Sequence, residues 1–143
     1  MRARYCFLNS DISVSVKEVL PCILNEDIEQ RYSIRYKAAF ENMVHHILNN
    51  APTKLGYKGF QKLFGLRSDH TAENYVMYAK NAYIIRGIKK FSYKSTIRIR
   101  DEKAYAVDVA LMNNRENALS GENLGWRLET IIFIELLRRY RPL

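Results

Sequence analysis

The sequence predicts an α+β chain: N-terminal helices, a winged helix-turn-helix with a small β-wing, and one last helix from an incomplete domain. Three observations carry that expectation. Apolar residues recur at helical spacing through the first half of the chain. Between residues 57 and 83 a short helix, a glycine turn and a second capped helix follow one another. Beyond Ala82 the pattern turns to short alternating strands, and then to a helix with almost no polar face.

The first apolar series is Val16, Leu20, Ile23, Leu24, Ile28 and Tyr32. Pro21 lies inside it and either kinks the helix or marks its first turn, because proline has no N–H and its ring crowds the preceding turn. A second stripe, Tyr36, Phe40, Val44, Ile47 and Leu48, predicts a helix over 34–50 that Asn49, Asn50 and Pro52 stop. The short helix spans Tyr57 to Phe64 with Phe60, Leu63 and Phe64 turned inward. Gly65 suits the left-handed residue that ends a helix. Ser68 or Asp69 caps the next helix, whose buried stripe is Ala72, Tyr75, Val76, Ala79 and Tyr83. Strands are expected at Tyr83–Ile88, Thr96–Arg100 and Ala104–Val109, then a loop over 113–123. The final helix, Gly125 to Arg139, is apolar enough to need cover on several sides.

Composition limits the partners. The 143 residues carry 23 Lys and Arg against 15 Asp and Glu, a net charge of +8, which favours phosphates or acidic proteins. Two cysteines, Cys6 and Cys22, form no CxxC; no disulfide and a cytoplasmic setting are expected. No run approaches the roughly 20 apolar residues of a membrane span, so no membrane partner is expected.

Four strings resemble one family in its own order. Asp27-Ile28-Glu29-Gln30-Arg31-Tyr32-Ser33-Ile34-Arg35 is similar to the D-I-x-x-R-Y-x-I-R segment that follows the ATPase module of prokaryotic AAA-type ATPases. The string from Tyr75 to Lys94 resembles Y-x-x-x-L-x-x-A-[YF]-[LI]-[LI] with a basic F-S-Y after it. Ala104 to Leu111 resembles K-x-Y-x-x-D-x-G-L, and Gly125 to Arg139 resembles G-x-x-x-E-N-x-[IV]-[FY]-x-E-L-x-R-R. The resemblance implies a winged helix and then the start of a PD-(D/E)xK nuclease-like domain, normally preceded by a P-loop ATPase. That C-terminal region is itself a domain of unknown function. It also implies the divisions 1–52 for a helical connector, 53–103 for the winged helix-turn-helix, and 104–143 for the truncated nuclease-like start.

The departures point away from catalysis. No G-x-x-x-x-G-K-[ST] is present to cradle ATP phosphates. Asp108-Val109-Ala110-Leu111 lacks the family's glycine, and the chain ends at Leu143, before the remaining acidic and lysine positions. A truncated reading frame or an expressed piece is the expectation. By resemblance Glu129 matches the nuclease helix glutamate, while Asp101-Glu102-Lys103 reads as a charged turn. Metal-assisted cleavage needs several acidic oxygens together, so no catalytic residue, cofactor or metal is assigned. His45 and His46 are adjacent on a helix and diverge, which leaves no zinc set with His70.

The binding reading rests on charge. Arg67, Ser68, His70, Thr71 and Asn74 are the early positions of the second capped helix, able to reach phosphates or base edges. Lys58 and Lys62 precede them, and Lys80 lies further along. Seven basic residues fall between Arg86 and Lys103, among them Lys89, Lys90 and Lys94, against two acidic ones. Asp69 and Glu73 oppose this charge. The expected function is therefore non-catalytic nucleic-acid binding, DNA in particular. A protein-interaction or scaffold role, or a non-functional remnant of a truncated ATPase gene, is the alternative. The apolar last helix predicts a homo-oligomer.

Overall fold

The computed structural model describes residues 16–90, 93, 102–113 and 124–140. Its first helix, α1 (Val16–Cys22), holds Pro21 and runs directly into a π-helical stretch (Ile23–Ile28) and one further turn, α2 (Glu29–Arg31). The wide turn begins just after the proline, where the helical ladder already lacks a donor. Leu20, Leu24 and Ile28 still fall on one buried side. Cys22 is disulfide-bonded, where the sequence reading expects no disulfide; Cys6 lies outside the described residues.

In α3 (Lys37–Asn49) the buried residues Phe40, Met43, Val44, Ile47 and Leu48 follow the helical period. Asn50 closes the helix, its side-chain amide donating to the His46 carbonyl at 2.8 Å. A two-residue strand, β1 (Thr53–Lys54), then leads into α4 (Tyr57–Leu63). Gly65 has φ +62, and the Leu66 N–H reaches back to the Gln61 carbonyl at 2.9 Å, a glycine-capped helix end. Ser68 caps α5 (Asp69–Asn81), its hydroxyl accepting from the Thr71 N–H at 3.2 Å.

The end of α5 repeats the α4 pattern with a different residue. The Ile84 N–H bonds the Ala79 carbonyl and the Tyr83 N–H bonds the Lys80 carbonyl, but the left-handed position is Tyr83, φ 58. The sequence places Tyr83 in the buried stripe and at the start of a strand. It is instead 66% exposed, and β2 begins only at Ile85 (Ile85–Lys89). Leu63, expected inside, is 60% exposed, since Phe60 and Phe64 already fill the inner side of so short a helix.

Strand β3 (Glu102–Ala106) pairs antiparallel with both β2 and β1, giving the order β1-β3-β2. Glu102 and Lys103 are thus strand residues and not the expected turn. Val109 belongs to a 3-10 helix (Val109–Asn113), and the expected strand Thr96–Arg100 lies outside the described residues. The inner sheet face sets Ala104, Ala106 and Ile85 against the helices. One core runs from Leu20 to Met112, continuous across residues 52/53 and 103/104. The architecture is α+β.

The last helix, α6 (Leu124–Tyr140), falls where the sequence places it. Only Thr130 and Phe133 are buried, while Leu128, Ile131, Ile132 and Leu136 are at least half exposed. Nothing within the described chain covers that side.

Replacing Gly65 by Ala tests the cap directly. No atom lies within 4 Å of an added Cβ, so the whole cost is the left-handed backbone. A loss of about 1 kcal/mol is expected in chemical denaturation.

Candidate nucleic-acid interface

The exposed side of α4 and the first turns of α5 form the candidate surface. Lys58 and Lys62 are exposed on α4, and Arg67 is exposed just ahead of the Ser68 cap. No carboxylate among the described residues pairs with these three. Asn74 is exposed one turn beyond Thr71. Ser68 and Thr71 are partly committed to each other, their hydroxyl oxygens 3.1 Å apart. His70 is 85% exposed with Glu73 3.6 Å away, so a protonated His70 is partly offset there. Asp69 accepts from the His70 N–H at 3.0 Å.

Arg35 is the residue that the sequence reading missed. The Tyr36 N–H donates to the Tyr75 hydroxyl at 3.1 Å, and Tyr32 stacks on Tyr78 with ring centroids 3.9 Å apart. These two contacts hold the segment between α2 and α3 against α5. As a result Arg35 lines one pocket with Arg67, Thr71 and Asn74. No local periodicity signals that meeting, because it brings together residues some 32 positions apart by way of two tyrosine pairs.

Lys80 stands elsewhere. Its ammonium pairs with Glu102 at 2.7 Å, and both side chains are mostly covered. Glu102 also accepts from the Tyr57 hydroxyl at 3.4 Å. Burial, with the Glu102 charge beside it, pushes the Tyr57 pKa up to about 12. Gly87 leaves room for this cluster: a Cβ there would lie 2.0 Å from a Glu102 oxygen and 3.0 Å from Lys80 Cε. Lys80 thus joins α5 to the sheet, away from Lys58, Lys62 and Arg67.

On the hairpin, Arg86 is partly covered, its guanidinium 5.8 Å from the Tyr83 ring centroid. Lys89 and Lys90 are exposed and share a shallow apolar-floored pocket with Lys54 and Ile88. Lys54, also absent from the sequence reading, arrives through β1. Lys94 lies outside the described residues.

The outer sheet face opposes two like charges, Lys54 and Lys103, directly across strands. Glu129 of α6 relieves this, 2.5 Å from Lys103 and accepting from the Tyr105 hydroxyl at 2.8 Å. Phe133 stacks on Tyr105 at 4.0 Å. Burial and the Glu129 hydrogen bond push the Tyr105 pKa up to about 12. The Lys103 hydrogen bond holds Glu129 below the ordinary carboxylate value. Among the described residues no three His, Cys, Asp or Glu side chains group to hold a metal.

A lowered folded pKa means that the ionised Glu129 contributes stability above the ordinary value, and that this contribution is lost as pH falls through the lowered one. The attachment of α6 should therefore loosen below pH 4.5. Trp126, the sequence's single tryptophan, sits on α6 and reports the change in emission. Glu129→Gln should flatten that acid-side shift; an unchanged shift in the variant would assign it to another carboxylate.

Residues 8–122 match the family model for a domain of unknown function, DUF8612. The chain belongs to that family. The match takes in every element from α1 to the 3-10 helix and ends before α6. The chain is also 32% identical over 128 residues to the uncharacterized protein MJ1544 of Methanocaldococcus jannaschii. That alignment covers 87% of this chain but 28% of the relative, so the chain spans well under a third of that protein's length. No solved structure matches. No helix among the described residues is long and apolar enough to cross a membrane.

Proposed function

We propose that this chain is a non-catalytic nucleic-acid-binding module of winged helix-turn-helix type, DNA being its expected ligand. The observation that carries the reading is the joint exposure of Lys58, Lys62, Arg67 and Asn74 along α4 and α5, with Arg35 brought in beside them. Positive groups spaced along a convex helix pair meet a phosphate backbone without needing base contacts. On this reading α5 enters the groove, α4 crosses the backbone, and Lys89 and Lys90 at the end of β2, with Lys54 of β1, follow the adjoining phosphates. The order β1-β3-β2 beside α4 and α5 fits a wing packed on its recognition helix. The resemblance to AAA-type ATPases gives the same module a place between an ATPase and a nuclease-like domain, and a cytoplasmic setting goes with it. Glu129, the nuclease helix glutamate by that resemblance, is bonded to Lys103 and Tyr105, and on this reading its role is to attach α6 to the sheet.

The test is fluorescence anisotropy of a labelled duplex titrated at about 50 and 200 mM salt. With six or more phosphate contacts, affinity falls by about a thousandfold across that range. Binding that ignores salt, or no binding at 50 mM, overturns the reading.

A second reading applies to α6 alone. Its uncovered Leu128, Ile131, Ile132 and Leu136 favour a protein contact, and a second copy of the same helix is the simplest occupant. This is compatible with nucleic-acid binding, since dimers present two recognition helices to adjacent turns of a duplex.

A further inference from the structure

A second groove lies at the opposite end of α5 from Arg67, about 18 Å along the axis at 1.5 Å per residue. Arg31, Tyr83, Arg86 and the Lys80–Glu102 pair line it. Three features of this groove have no use in the duplex surface described above.

The first is the backbone of Tyr83. Two helix ends in this chain close in the same hydrogen-bond pattern, and one uses glycine at the left-handed position. The other places a tyrosine there, at φ 58, where an L side chain is strained. Strained backbone of that kind clusters at active sites and ligand clamps. The second is the ring itself, which is 66% exposed and held out at the groove in place of joining the core. The third is the charge around it. The Arg86 guanidinium lies 5.8 Å from the ring centroid, and no carboxylate among the described residues pairs with it. Arg31 adds a second guanidinium, 43% exposed and bonded to Asp27 at 2.7 Å. The one carboxylate lining the groove, Glu102, is neutralised by Lys80 at 2.7 Å and does not repel an anion.

A flat exposed ring with two guanidiniums nearby has the chemistry to hold a planar base that carries a phosphate. We propose that this groove binds one unpaired nucleotide, its base stacked on Tyr83 and its phosphate held by Arg86 and Arg31. Such a nucleotide comes either free in solution or as part of a single strand. The site is separate from the α4–α5 surface and does not depend on duplex binding there.

The experiment uses the full chain and two probes, adenosine monophosphate and a single-stranded hexanucleotide carrying 2-aminopurine. Stacking on Tyr83 quenches 2-aminopurine emission, and competition by the mononucleotide reads the free form. Tyr83→Gly is the decisive variant because it removes the side chain while relieving the left-handed backbone, so the fold is kept. Tyr83→Phe should retain the quench, and Tyr83→Gly should weaken hexanucleotide binding by about tenfold or more. Displacement by adenosine monophosphate assigns a free-nucleotide site; quenching that the mononucleotide leaves untouched assigns a strand site. Equal binding by Tyr83→Gly and the parent overturns the proposal, as does the absence of quenching by the parent. Duplex anisotropy on the same variant separates the two readings. It should stay at the parent's value whether or not the groove binds.

Discussion

Replacing Arg35 and Arg67 together by Ala should weaken duplex binding by roughly tenfold to a hundredfold and flatten its salt dependence. Each phosphate contact contributes about 0.9 to the slope of log affinity against log salt, so losing two should reduce that slope by about 1.8. Both guanidiniums reach one pocket beside Thr71 and Asn74, and neither is tied to a carboxylate among the described residues. Lys80→Ala is the informative contrast. Removing Lys80 leaves the mostly covered Glu102 carboxylate without its ammonium, which should cost about 1–3 kcal/mol of stability. It should change duplex affinity little, because Lys80 faces the sheet. Anisotropy at two salt concentrations, paired with urea denaturation of each variant, distinguishes the two lysine and arginine roles. If Lys80→Ala lost as much affinity as the double arginine variant, the assigned surface would be wrong.

The second large effect concerns mass. The parent should sediment at about twice the 16.8 kDa of one chain at micromolar concentration. Leu128→Glu with Ile131→Glu should return it to one. Burying each of those side chains in a pair of helices is worth about 1.5–3 kcal/mol, and each introduced carboxylate would have to lose its water. Association should therefore weaken by about three powers of ten or more. Both residues point away from Phe133 and Thr130, so the fold of the variant should be intact by circular dichroism. A parent that sediments as one chain would sink the self-association reading and leave that face to a different partner.

Much of the helical layout was legible because it depends on neighbours in sequence. The stripe Phe40, Val44, Ile47 and Leu48, the left-handed Gly65 and the Ser68 cap are each decided within a few residues. What escaped depends on distance along the chain. β1 is two residues long and carries no periodicity; it exists because Thr53 and Lys54 pair with Ala104 and Lys103. Charge counting placed Lys80 among the phosphate ligands, and only the approach of β3 turns it inward to Glu102. Arg35 was passed over because the stripe placed it inside the helix over 34–50, whereas α3 begins only at Lys37 and leaves Arg35 in the link before it. Tyr83 fitted the buried stripe by spacing, but the α5 cap unwinds the helix one residue too early for the spacing to hold. The apolar count of α6, and its need for cover from outside the neighbouring elements, were legible too, but hydrophobicity states a need and not the partner that meets it.

The Glu102 carboxylate has a consequence for how this surface meets a ligand. It joins Lys80 of α5 and Tyr57 of α4 from its own place on β3, and Gly87 of β2 is bare so that all three can fit. Two helices and two strands are therefore fixed in their mutual angles before any ligand arrives. A surface prepared in this way gives up little conformational freedom on association, so more of its contact energy is retained as affinity. Any side chain larger than hydrogen at position 87 would force the carboxylate aside, and that readiness would be lost without one phosphate ligand having been touched.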